Sequence, residues 1–201
     1  MPLSKKKGLL LIGFILIAIL IISVLSPTES TLGNWIKVLY FHAGLAIVGI
    51  MIFILSGIFG LFHLVSKKDT FGKWSKSSQK IALSVWILNG FISTFVTKMI
   101  WGKWLFLAEP RFKITIFILL IAPVFYLLSL WARDKKVTSV LNMILASVVT
   151  WLYATASSAV FHPTDPARNS PNMLIRLSFF ATVGLLFIAS MILIWIIKEP
   201  D

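Results

Sequence analysis

The sequence predicts an all-α membrane protein: a six-transmembrane-helix bundle forming a single domain over residues 1–201. Three observations predict it. Hydrophobic residues make up 58% of the chain and charged residues 13%, against about 45–50% and about 25% in soluble domains. Mean hydropathy is +0.94, too high for a water-facing globule. The apolar residues also gather into six runs close to the roughly 20 residues that cross a hydrocarbon core about 30 Å thick as a helix.

The first run, Gly8–Leu25, follows Lys5-Lys6-Lys7 and has the outline of a signal peptide. It is long for one, and Ser23-Val24-Leu25-Ser26-Pro27 offers a poor small-residue cleavage site, so it is read as a retained anchor. The second, Val38–Val65, is long enough to tilt or to enter the interface. The third, Ile81–Thr97, is short, with room to continue past Lys98. The fourth is Ile114–Trp131, and the fifth is Val137–Val160, which must end at His162 because Pro163 disfavours helical geometry in the residue before it. The sixth is Met173–Ile197. Between the third and fourth, Trp101, Trp104, Leu105 and Ala108 fall at i, i+3, i+4 and i+7, which predicts a short interfacial helix ending before Pro110.

Lys and Arg set the orientation. With the N-terminus inside, 12 basic residues fall on the inner side and 7 on the outer, so the positive-inside rule places both termini in the cytoplasm. The net charge of +12 does not point to nucleic acid, because the cations lie between apolar runs, where membrane lipid headgroups meet them. The absence of Cys excludes thiolate ligation and disulfide exchange by this chain. All seven acids (Glu29, Asp69, Glu109, Asp134, Asp165, Glu199, Asp201) lie in loops or tails. That disfavours a small-solute transporter, whose sites usually show membrane-embedded acids or broken helices.

This topology brings three features to the outer face. His42 lies about one turn inside the second segment, His162 just beyond the fifth, and the tryptophan loop from Trp101 to Arg111 emerges beside them. Each has an ordinary explanation. An interfacial histidine bonds to a carbonyl, a loop histidine sits in water, and tryptophans form aromatic belts. Together, two imidazoles able to share one metal beside an aromatic, cationic ledge point to a flat anionic macrocycle, and haem fits best. Trp101 and Trp104 would stack on its face, while Arg111 and Lys113, with Lys98 and Lys103 nearby, would attract its carboxylates. Asp165 is placed to orient the His162 ring. His63, 21 positions after His42, lies roughly 30 Å away along a helix and belongs near the inner face. Hydrolytic metal motifs such as His-Glu-x-x-His are absent.

These residues carry a resemblance. Leu39-Tyr40-Phe41-His42, then Ile100-Trp101-Gly102-Lys103-Trp104 through Glu109-Pro110-Arg111, then Phe161-His162 before a final helix, resemble the CcmC-type haem-handling proteins of cytochrome c assembly. The likeness runs from about Trp35 to the C-terminus. It implies a non-enzymatic protein of the bacterial-type cytoplasmic membrane that holds haem in transit at the outer face. His42 and His162 would be axial ligands. Trp101, Gly102 and Trp104 would open the haem-holding segment, and Glu109, Pro110 and Arg111 would close it. A haem chaperone and an ABC-type assembly partner are the partners it implies. The chain departs from the family where Leu105, Phe106, Leu107 and Ala108 replace later tryptophans, Glu109 replaces Asp, Ser157-Ser158 replaces a Trp pair and Ala43-Gly44 replaces Val-Pro. The thinned cradle keeps a second expectation open: a membrane scaffold or regulatory subunit that has lost stable haem binding.

Overall fold

A computed structural model of the chain describes residues 4–30, 32–155 and 166–198. Among these it contains six α-helices and no β-strand: α1 Lys5–Leu25, α2 Trp35–Ser66, α3 Asp69–Trp101, α4 Pro110–Ala132, α5 Lys135–Thr155 and α6 Met173–Ile197. All six are long and apolar enough to cross a membrane. The expected end of α5, residues 156–160, lies outside the described residues.

The long α2 is the organising element. It packs most extensively on α3 and α5, then on α6; α4 lies against α5 and α3, and α1 rests chiefly on α6. Small residues allow these close approaches, as expected where packing rather than water exclusion drives helix association. A Cβ at Gly60 would stand 2.7 Å from the Ser139 carbonyl oxygen, and one at Gly57 would stand 2.7 Å from the Ala146 Cβ. Both glycines let α2 press backbone to backbone on α5.

The α2/α3 hairpin turns through Lys67 and Lys68, with Lys67 in the left-handed region at φ 57° and its N–H donating to the His63 carbonyl. Successive contacts then keep one register. The His63 ring meets Gly72, Trp86 covers Gly49, and Ser93 reaches His42. Equal steps of 14 and then 7 residues separate these partners on both helices, the repeat of a left-handed supercoiled pair. A second tight turn, through Arg133 at φ 50° and Asp134, joins α4 to α5. Asp134 accepts from the N–H groups of Lys136 and Val137 and so caps α5.

Two expectations are corrected. Helix α3 spans 33 residues, not Ile81–Thr97. Its first third is too polar to register as an apolar run, yet Gly72, Ser75, Ser78 and Gln79 are buried in the bundle while Lys76 and Lys80 face out. The short helix expected between the third and fourth segments does not form. Trp101 is the last residue of α3, and Gly102, at φ 69°, ends the helix with its N–H on the Lys98 carbonyl. The chain to Pro110 is irregular and too short to repay a fresh helical nucleus.

Several buried hydroxyls are satisfied inside their own helices. Ser93, Thr97, Thr115, Ser129, Thr182 and Ser190 each donate to the carbonyl four residues earlier. That habit lets polar residues sit in an apolar bundle at little cost.

Candidate functional site

At the end of the bundle opposite the two tight turns, one cavity of about 160 Å³ collects residues from almost every element. Helix α2 supplies His42 among Leu39, Ala43, Ala46 and Ile47. The last two turns of α3 supply Ser93, Val96, Thr97, Ile100 and Trp101. The α3–α4 connection and the first turns of α4 supply Glu109, Arg111, Phe112 and Thr115. Tyr153 of α5, Phe179 of α6 and the segment Pro166-Ala167-Arg168 complete the wall.

Local chemistry fixes each contributor. Tyr40, fully buried, holds its hydroxyl 2.7 Å from that of Ser26 and so pins the start of α2 to the end of α1. After Gly102 the chain folds back, and the Thr97 hydroxyl contacts the Trp104 carbonyl at 3.1 Å. Lys98 Nζ donates to the Gly102 carbonyl at 2.9 Å. Pro110 starts α4 in the first-turn position that costs no backbone donor. Glu109, the residue before it, is buried at 2% exposure.

His42 is half-buried, with Nδ1 3.3 Å from Ser93 Oγ. The single hydrogen of that hydroxyl goes to the Asn89 carbonyl at 2.8 Å. With that hydrogen so placed, Ser93 Oγ faces the ring as an acceptor, the arrangement that suits a proton on Nδ1. In that tautomer Nε2 is the ring nitrogen that carries no hydrogen, as in a histidine oriented for ligation.

The structure brings together four of the residues expected to act: His42, Trp101, Glu109 and Arg111. Trp101 stacks on Phe106, ring centres 5.1 Å apart and planes 29° apart. Gly102, Trp104 and Lys113 are not among the described residues of the lining. Gly102 serves as the helix stop. Trp104 packs edge-on against Phe95 at 5.4 Å under the Lys98 ammonium, and Lys113 is exposed. His162 and Asp165 lie outside the described residues. His63 is at the far end of the bundle, as the spacing required, and it is buried. Its Nδ1 lies 2.9 Å from Ser139 Oγ of α5 and its ring lies on Gly72 of α3.

Ser93, Tyr153 and Arg168 joined the site unannounced. Only Ser93 left a signal: a hairpin turning at Lys67-Lys68 with both helices unbroken pairs it with His42. Arg168 adds a second guanidinium to that of Arg111 in a lining that also holds His42, the buried Glu109 and several hydroxyl side chains. Among the described residues no three His, Asp or Glu side chains gather into a metal cage. No protein-family model matches this chain, and no curated protein matches it.

Proposed function

We propose that the protein is a membrane haem-handling protein of cytochrome c biogenesis, one that presents haem at the outer face of a bacterial-type cytoplasmic membrane. One observation carries the reading. His42 and the segment that holds Trp101, Glu109 and Arg111, far apart in sequence and both picked out by the CcmC-type resemblance, line the same cavity.

The donor set suits the group. A bare metal ion wants three or four protein ligands, whereas an iron already held by a macrocycle needs only axial ones. In this reading His42 would supply a ring nitrogen as such a donor, Trp101 an indole face, and Arg111 and Arg168 guanidiniums for propionates. The cavity, at about 160 Å³, is smaller than the roughly 300–1,000 Å³ of sites that engulf a ligand. An edge held in the cavity, with the remainder outside, suits cargo that must be passed on. His162 precedes Pro166 of the lining by four residues, a reach of at most about 14 Å. It is assigned as the second axial ligand on the resemblance. In this reading both termini are cytoplasmic, and a haem chaperone and an ABC-type complex are the partners.

Purified protein from a haem-sufficient host is expected to show a bis-histidine absorption spectrum that His42→Ala and His162→Ala each abolish. The second reading, a scaffold without stable haem binding, draws on Trp104 packing against Phe95 and not lining the cavity. Equal haem content in wild type and the double variant would establish that reading and refute the first.

A further inference from the structure

At the His42 end of the bundle, α1 and α3 stand apart and α2 floors an open groove of about 500 Å³ between them. Leu20 of α1, Phe41 of α2, and Phe91 and Phe95 of α3 make its walls apolar. The polar groups lie together where α1 ends and α2 begins. Lys37 lines the groove with its ammonium on the Val24 carbonyl at 3.0 Å. Ser23 lines it too, only 7% exposed, with no hydrogen-bond partner for its hydroxyl among the described residues.

A cation and a buried hydroxyl at one end of an aromatic slot match the layout of a single amphiphile. An unpaired hydroxyl in an apolar setting costs on the order of 1–3 kcal/mol, so an occupant with an acceptor at that depth is favoured. A helix from a second copy does not meet these demands. Its backbone acceptors are used internally, it brings no anion to Lys37, and the groove holds little more than one helical turn about 10 Å across.

We propose that this groove binds one anionic phospholipid. Its phosphate sits on Lys37, a glycerol-ester carbonyl accepts from Ser23, and an acyl chain lies along Phe41, Phe91 and Phe95. The proposal depends on the six helices crossing a bilayer and is independent of what the His42 cavity holds.

Native mass spectrometry of the full chain, released from micelles containing equal phosphatidylglycerol and phosphatidylcholine, tests it. Wild type is expected to retain one phosphatidylglycerol in preference. Lys37→Gln should lower that retention about fivefold, the worth of one basic residue towards an anionic lipid, and Lys37→Arg should restore it. Leu20→Trp, which fills the slot, should lower retention of both lipids, while Lys80→Gln and His42→Ala should change nothing. Equal retention of the two lipids by wild type, an unchanged preference in Lys37→Gln, or a lipid-free dimer as the surviving species would each overturn the proposal.

Discussion

On the proposed haem reading, Ser93 favours Nε2 of His42 as the ligating nitrogen, because the Ser93 hydroxyl makes its shorter contact with the Asn89 carbonyl. Ser93→Ala should therefore leave the helix intact and mix the His42 tautomers, visible in the ¹⁵N shifts of labelled histidine. Haem affinity should fall about tenfold, the low end of the cost of losing a ligand's orienting partner. An unchanged tautomer in the variant would remove Ser93 from the site. At the opposite end, the N–H groups of Val137 and Lys136 hold the Asp134 carboxyl below the usual carboxylate range. A depressed folded-state value means stabilisation that is complete above the unfolded value near 3.9 and is lost as pH falls through the folded one. Asp134→Asn keeps the cap and should flatten this acid limb in melts between about pH 2 and 5. Histidines and tryptophans announce themselves in a sequence by their chemistry, which is why His42 and Trp101 were legible. A serine in an apolar helix ordinarily satisfies itself, so the second contact that Ser93 makes, 51 residues away, is invisible until the helices are paired.

Between elements, the tight turns do much of the positioning. Lys67 fixes the hairpin so that α2 and α3 meet in one register from His63 to His42. The glycine face of α2 then sets its depth against α5. Gly60→Ala would drive a methyl into the Ser139 carbonyl and should cost about 1–3 kcal/mol, read as a lower melting temperature in detergent. Gly184→Ala, with nothing within 4 Å of the new atom, is the matched control and should be neutral or slightly stabilising. Five of the six helices were readable from hydropathy because each carries a long apolar run. Helix α3 was only half readable, since its early turns earn their place through a narrow small and polar face, Gly72, Ser75 and Gln79, and not through mean apolarity. The tryptophan stripe misled for a related reason. Periodicity continued through Gly102, but a left-handed glycine cannot continue a helix.

Across the whole molecule, the helix count and the convergence of four site residues followed from topology, whereas the cavity's size and its second guanidinium depended on packing that no pattern encodes. One arrangement bears on the bundle as a barrier. Asn89 and Ser93 form a polar stretch of α3 towards the cavity, and Ser75, Ser78 and Gln79 form another towards the turns. Trp86 lies between them, fully buried, seated on Gly49, with its indole N–H donating to the Thr115 carbonyl at 3.2 Å. A continuous file of such side chains would invite water and short-circuit a pH gradient. The indole interrupts the file, so vesicles carrying Trp86→Ala should dissipate an imposed proton gradient faster than those carrying wild type, and an equal leak rate would place the seal elsewhere.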